Sequence, residues 1–308
     1  MVTFSHILCP TDLSEAAVAP LTYAAALARW YDARLTILHV VPPPAPLPAG
    51  IVGFSVPPEI VPPPPRDVLR EALEAAASRA GADMQHVTLE IVDGEPAAAI
   101  VDQAVAGRAD VLVLGTHGRS GFERFVLGSI AEKVLRKAPC PVLTVPPHMP
   151  AASAGDVRLH SVLCAVDFSA ASLQAFGFAV ALARQAGASL TAVHVIEWLA
   201  EDDPPTHVRF NVPEYRGYRI EEARTRLQAL IDSEVGGEVP ATALVPLGRA
   251  HREILRTADE TKADLIVMGV QGRGGLGAAL FGSTTQQVVR AATCPVLAAH
   301  APADVRPG

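Results

Sequence analysis

Aromatic residues make up only 5% of this 308-residue chain, so burial falls to the aliphatics of a sequence that is 50% apolar. Cysteine is as scarce: Cys9, Cys140, Cys164 and Cys294 are the only four, and none are spaced C-x-x-C. No His/Cys cluster has zinc-ligand spacing, which excludes a zinc module or a disulfide scaffold. All four cysteines sit in or beside apolar strand-like segments and are expected as small core residues in a reducing cytosol. An excess of basic residues is also missing. The formal net charge is -7, whereas a nucleic-acid binder needs a basic face to neutralise phosphates. No stretch approaches the roughly 18 to 20 consecutive apolar residues of a membrane helix. The start, MVTFSHILCPTD, has no basic leader ahead of a long apolar run. The expectation is a cytoplasmic chain with no membrane and no nucleic-acid partner. The phosphate-loop pattern G-x-x-x-x-G-K-S/T and the nucleophile elbow G-x-S-x-G are both absent, which argues against a P-loop motor or an elbow hydrolase.

What is present is a duplication. HILCPTDLSEAA from His6 matches SVLCAVDFSAAS from Ser161, and LTILHVV from Leu35 matches LTAVHVI from Leu190. ADVLVLGTHGR from Ala109 matches ADLIVMGVQGR from Ala263, and APCPVLTVP from Ala138 matches ATCPVLAAH from Ala292. The offsets are 155 for Asp12 to Asp167 and His39 to His194, and 154 for Gly115 to Gly269 and Cys140 to Cys294. A period this long is a domain, not a solenoid repeat. The expected domains are residues 1–147 and 158–302, joined by a Pro/Ala/Gly-rich linker over 148–157.

In the first copy, strands are expected near Ile7–Cys9, Leu35–Val41, Val87–Val92, Val111–Leu114 and Val142–Val145. Helices are expected near Glu15–Trp30, Arg66–Arg79, Pro96–Ala106 and Ser129–Lys137. Apolar strands alternating with helices imply an α/β fold with a parallel sheet covered on both faces. Gly94 and Gly248 mark equivalent turns, with Pro96 in a first helical turn where its missing N–H costs nothing. Pro20 falls inside the first helix and should kink it. The proline-dense stretch Pro42–Pro65 and its counterpart Glu197–Gly217 read as surface loops after the second strand. The apolar last strands, Pro141–Val145 and Pro295–Ala299, should not be left as open edges. The two copies are expected to pair them as an intramolecular pseudo-dimer, and full chains to pair again as a homodimer.

The chemistry lies in two loops. Gly115, Gly118, Gly128 and Ser129 give G-x2-G-x9-G-S, and Gly269, Gly272, Gly282 and Ser283 give it again. Each pattern follows an apolar strand and ends at a helix start. Glycines let the backbone approach a phosphate closely and take positive φ. Their N–H groups form an anion-binding concavity, and the helix start adds unpaired N–H groups and the positive dipole end. Arg119 and Arg273 follow the second glycine and add charge. The second element is Pro10-Thr11-Asp12-Leu13-Ser14, matched by Ala165-Val166-Asp167-Phe168-Ser169. Each Asp ends the first strand, and Ser14 and Ser169 are natural N-caps. Ligands of open parallel sheets sit at the carboxyl ends of strands where the order reverses. Asp12 and Gly115 would then face one crevice. His117 inside one loop has Gln271 as its counterpart, so it is not read as catalytic. His39 and His194 end apolar strands and are read as core or edge histidines.

PTDLS, LHVV, G-T-H-G-R…G-S and CPVLTV together resemble the universal stress protein family in its tandem two-domain form. The resemblance implies five-stranded parallel sheets of order 3-2-1-4-5 and ATP as ligand where the glycine loop is kept. It places Asp12 and Val40, and Asp167 and Val195, towards the adenine end, with Pro10, Thr11, Ala165, Val166 and Met268 also expected in the nucleotide sites. It places Gly115, Gly118, Arg119, Gly128, Ser129 and Ile130 around ribose and phosphates, as it does Gly269, Gly272, Arg273, Gly282, Ser283, Thr284 and Thr285. Mg²⁺ would be carried on the ATP phosphates, with no catalytic residue and no protein metal site. Thr284 and Thr285, against Ile130 and Ala131, predict extra hydroxyls on phosphate and tighter ATP binding in the second half.

The leading expectation is therefore an ATP-binding regulatory protein of the stress response, acting on an unidentified protein partner. A slow ATP-hydrolysing or nucleotide-transferring enzyme and a nucleotide-free scaffold are the alternatives.

Overall fold

The computed structural model describes residues 3–43, 64–116, 127–147, 149, 157–197, 212–270 and 282–300. In the first half the strands are β1 (His6–Pro10), β2 (Arg34–Val41), β3 (Val87–Asp93), β4 (Val111–Gly115) and β5 (Val142–Val145). Its helices are α1 (Val18–Tyr31), α2 (Arg66–Arg79), α3 (Pro96–Ala106) and α4 (Ser129–Lys137). The second half repeats this with β6 (Ser161–Ala165), α5 (Ala170–Ala186), β7 (Ser189–Val193), α6 (Val212–Val235) and β8 (Ala241–Leu244). It continues through α7 (Ala250–Glu260), β9 (Leu265–Gly269), α8 (Ser283–Ala291) and β10 (Val296–Ala299).

Each half has the expected strand order, but the two sheets are not separate. They join into one ten-stranded sheet of order β3-β2-β1-β4-β5-β10-β9-β6-β7-β8. The join is the expected pairing of last strands: β5 and β10 run antiparallel, with Leu143 opposite Leu297, while the other strand pairs are parallel. Fusion follows from the edge chemistry. Two short apolar strands buried on both faces satisfy each other's backbone groups and leave no wet edge at the centre.

Alternation along the strands separates two cores. Ile7, Cys9, Val111 and Val113 face one side, where they pack under α1, α2, α5 and α6. Leu8, Leu112 and Leu114 face the other, under α3, α4, α7 and α8. The amino ends of β1 and β4 are locked together by Asp110, whose Oδ2 accepts from the Ser5 and His6 nitrogens at 2.7 and 2.9 Å. Asp264 does the same for the His160 and Ser161 nitrogens at 2.7 and 3.0 Å. All four cysteines are buried free thiols. Burial pushes the Cys140 and Cys294 thiols up to about 12, and those of Cys9 and Cys164 higher still.

Two helices start differently from expectation. Pro20 does not kink α1: Glu15–Ala17 form a separate 3-10 turn and the α-helix begins at Val18. Pro20 thus becomes the third residue of α1, in the first turn, where an N–H has no partner within the helix to lose. α5 has no proline there and runs unbroken from Ala170. In the second half, α6 begins at Val212, so the end of the stretch read as a loop to Gly217 is helical. Residues 44–63, 198–211 and most of the expected linker lie outside the described residues.

Candidate functional site

Strand order reverses at β1, which lies between β2 and β4, and at β6, which lies between β7 and β9. The carboxyl ends of β1 and β4 are therefore neighbours, with Asp12 just beyond one and Gly115 ending the other, as Asp167 and Gly269 do for β6 and β9 in the second half. Val40 lies near the end of β2, on the other side of β1, and Val195 just beyond β7, on the other side of β6.

The Asp turn is built alike in both halves. Asp12 Oδ1 accepts from the Ser14 nitrogen at 3.0 Å and hydroxyl at 2.6 Å. Asp167 Oδ1 accepts from Ser169 at the same two distances. The residue between them is left-handed in both, Leu13 at φ 63° and Phe168 at φ 61°. Bulky residues rarely sit there, and the conformation costs about 1–3 kcal/mol. The left-handed residue recurs because the turn is duplicated, as it also does at Arg108 and Lys262. His39 Nδ1 lies 2.9 Å from the Thr11 carbonyl, and His194 Nδ1 lies 2.6 Å from that of Val166. These histidines tie the residue preceding each Asp to the next strand. They are more than edge residues, and their recurrence at the same offset as the Asp was the signal for it. Thr11 is buried, and its hydroxyl accepts from the Leu13 nitrogen at 3.1 Å, so it shapes the turn. Ser169 caps α5 through the Ser172 nitrogen at 3.3 Å, whereas Ser14 makes no side-chain cap.

The phosphate end is described in part. Gly118, Arg119, Gly272 and Arg273, with His117 and Gln271, lie outside the described residues. Gly128 and Gly282 are each the residue before a helix, with φ -58° and -62°. That corrects the expectation of positive φ at these two glycines. Any residue adopts these angles, so the backbone conformation does not require glycine at either position. Ser129 and Ile130 are exposed there, as is Ser283, with Thr284 half-buried.

Thr285 is a correction. It is buried, and its hydroxyl donates to the Gly269 carbonyl at 2.8 Å. Thr285, Val288 and Val289 fall on one helical face at i, i+3 and i+4, and that face is core. The hydroxyl therefore points inward, away from the space before the helix. Met268 is also core: its side chain packs in the cluster beneath α7 and α8. Gly269 has a second reason to be glycine. A Cβ there would lie 2.8 Å from the Ser172 nitrogen and 2.9 Å from the Ala171 carbonyl carbon, inside the first turn of α5.

The neighbouring helix starts differ in charge. Glu95 caps α3, accepting from the Ala98 nitrogen at 2.8 Å, and pairs with Lys133 of α4 at 3.1 Å. The Ala98 N–H, with Lys133, holds this carboxyl below its ordinary range. At the start of α7 stand Arg249, His251 and Arg252. Burial, with the two arginines, lowers the His251 pKa. Among the described residues, no group of three or more His, Cys, Asp or Glu side chains could hold a metal ion. No helix among them is long and apolar enough to cross a membrane.

A repeated Asp turn and glycine-led helix, flanking the reversal point of a 3-2-1-4-5 sheet, agree with sequence comparison. The universal stress protein family model matches residues 3–146 and again 159–300. The chain belongs to the universal stress protein family. A universal stress protein of Mycolicibacterium smegmatis is 30% identical over 301 residues, covering 94% of this chain and 95% of that one. One from Mycobacterium tuberculosis is 28% identical and covers 96% of each. The crystal structure of a universal stress protein from Archaeoglobus fulgidus, 21% identical, covers 98% of both chains at a TM-score of 0.65, which shows a shared fold.

Proposed function

We propose that this universal stress protein binds an adenine nucleotide, ATP carrying Mg²⁺ on its phosphates, in the crevice of each half. The nucleotide then governs which protein partner the chain engages in a stress response. The observation that carries the reading is the duplicated pairing of a strained Asp turn with a glycine-led helix start across one strand reversal. The fixed carboxylate suits the N–H and O–H donors of a nucleoside, and the open helix start suits phosphate. A binding role fits better than catalysis. Among the described residues, the histidines that contact the Asp turns, His39 and His194, are each engaged through Nδ1 with a backbone carbonyl.

The test is to denature freshly purified protein and identify released nucleotide by mass, then titrate the emptied chain with Mg·ATP in a thermal-shift assay. Saturation at about 100 times Kd adds roughly 2.7 kcal/mol per site. The double variant Gly118→Glu with Gly272→Glu should keep its fold by circular dichroism and lose that shift. Emptied wild-type protein whose Tm ignores millimolar ATP would end the proposal.

A further inference from the structure

We infer that the two halves hold their nucleotide sites with unequal rigidity, and that Thr285 and Ser172 are positioning residues that pre-organise the second site. The inference rests on the nucleotide reading above and deepens it. In the second half the Asp turn and the phosphate helix are joined by a continuous chain of contacts. Asp167 Oδ1 accepts from the Ser169 hydroxyl at 2.6 Å. Ser169 in turn accepts from the Ser172 nitrogen at 3.3 Å, and the Ser172 hydroxyl lies 3.3 Å from the Asp167 nitrogen and donates to the Ser169 carbonyl at 3.0 Å. The Ser172 nitrogen packs directly on Gly269, where there is no room for a Cβ. The Gly269 carbonyl accepts from Thr285 in the first turn of α8 at 2.8 Å. One glycine thus receives the Asp-turn helix on one side and the phosphate helix on the other.

Phe168 adds a further brace. Its ring lies 4.9 Å from that of His194, and the Arg226 guanidinium sits 4.0 Å above it. A cation over an aromatic face is attractive, so a residue in a strained conformation is held from α6 and from the strand end.

The first half has other residues at these places. Ala17 stands where Ser172 does, Ala131 where Thr285 does, and Leu13 where Phe168 does. Ala17 belongs to the separate 3-10 turn ahead of α1, and Ala131 is buried with no hydroxyl to offer Gly115. Thr116, in place of Val270, has interactions of its own, but neither Asp-turn helix nor phosphate helix carries a hydroxyl to the strand end. The first site, braced at its Asp turn by the Thr11 hydroxyl on the Leu13 nitrogen, lacks the bridge from that turn to the phosphate helix, so more of its ordering is left to the ligand than in the second. Pre-organisation raises affinity by removing an ordering cost from binding.

The test uses two full-length single-site proteins, Gly118→Glu to leave the second site and Gly272→Glu to leave the first. Calorimetry with Mg·ATP should show tighter binding by the second site. In that protein Thr285→Ala should weaken binding about three- to tenfold, the range of one net hydrogen bond, and Thr285→Ser should restore it. The same substitution should leave the first site's affinity unchanged. In the other protein, Ala131→Thr should tighten the first site. Hydrogen exchange of the nucleotide-free chain supplies the readout that needs no ligand: the first turn of α8 should be better protected than that of α4. Equal protection of the two helix starts, or ATP binding indifferent to Thr285→Ala, overturns the inference while leaving nucleotide binding intact. Failure of the unaltered, emptied chain to bind ATP sinks the nucleotide reading, and this inference with it.

Discussion

At Gly269 the first turn of α5 leaves no space for a methyl group, because the two nearest neighbours of a Cβ there are main-chain atoms and the third is the Ala171 Cβ, none of which can swing aside. Gly282 meets a different demand: its φ of -62° is open to every residue, and it stands before an exposed helix start. The two glycines belong to one motif, yet their substitution should have opposite signatures. Gly269→Ala is expected to lower stability by about 1–3 kcal/mol, as overpacking does. Gly282→Ala should leave the urea midpoint nearly unchanged and weaken ATP, because its Cβ enters the space a phosphate would take. Urea unfolding paired with ATP titration of both variants measures this. A stable Gly269→Ala protein would mean that the first turn of α5 moves away readily. Thr285 carries the complementary lesson. A hydroxyl in a first helical turn reads as a phosphate ligand, and only the apolar spacing with Val288 and Val289 betrays that it faces the core.

Helix starts decide how far the elements could be read from sequence. The expected bounds of α2, α3 and α4 agree with those observed, because each start has a local cause: Pro65 before α2, Pro96 within α3 and Gly128 before α4. The start of α1 was misjudged because Pro20 stops a continuous helix from Glu15 without disturbing one that starts at Val18. The fused sheet was legible as an edge requiring cover, whereas the brace around Phe168 was not, since it needs Arg226 of α6 brought over the Asp turn. At α3 the cap is itself testable. Glu95→Ala removes the bond to the Ala98 nitrogen, and a lost cap costs about 0.5–2 kcal/mol, towards the low end here because the carboxylate is half-exposed. The folded carboxyl titrates below its unfolded value near 4.3. Its contribution is therefore present above about pH 4.3 and is lost as pH falls through the lower folded value. The stability gap between wild type and Glu95→Ala should be constant from pH 6 to 8 and close in acid. A gap that persists unchanged at pH 3 would show that the carboxylate charge plays no part.

The whole molecule is held at its centre by contacts that cross from one half to the other. Leu143 pairs with Leu297 in the sheet, and the Thr144 hydroxyl donates to the Val296 carbonyl at 3.2 Å. On one face Phe4 stacks on Phe178 at 6.1 Å, and Gln185 Nε2 donates to the Trp30 carbonyl at 3.0 Å. On the other, His300 Nε2 donates to the Leu135 carbonyl at 3.0 Å, and Arg290 lies 4.0 Å from Glu132. Leu143 and Leu297 are equivalent positions, but the side-chain contacts are not symmetric. Pro146 stands where His300 does and has no side-chain donor to return the bond to the second half. A half expressed alone would bare an apolar edge strand, which demands a partner. Self-pairing would restore the backbone ladder but not the asymmetric side-chain contacts. Residues 1–157 and 158–308 produced separately are therefore expected to form homodimers alone and to exchange into a one-to-one complex when mixed. Native mass spectrometry of the mixture reads the three dimers directly. Halves that stay monomeric would show that the β5–β10 ladder is a consequence of the tether. Homodimers that persist unmixed would show that the ladder alone sets the preference, with the crossing side chains adding nothing to it.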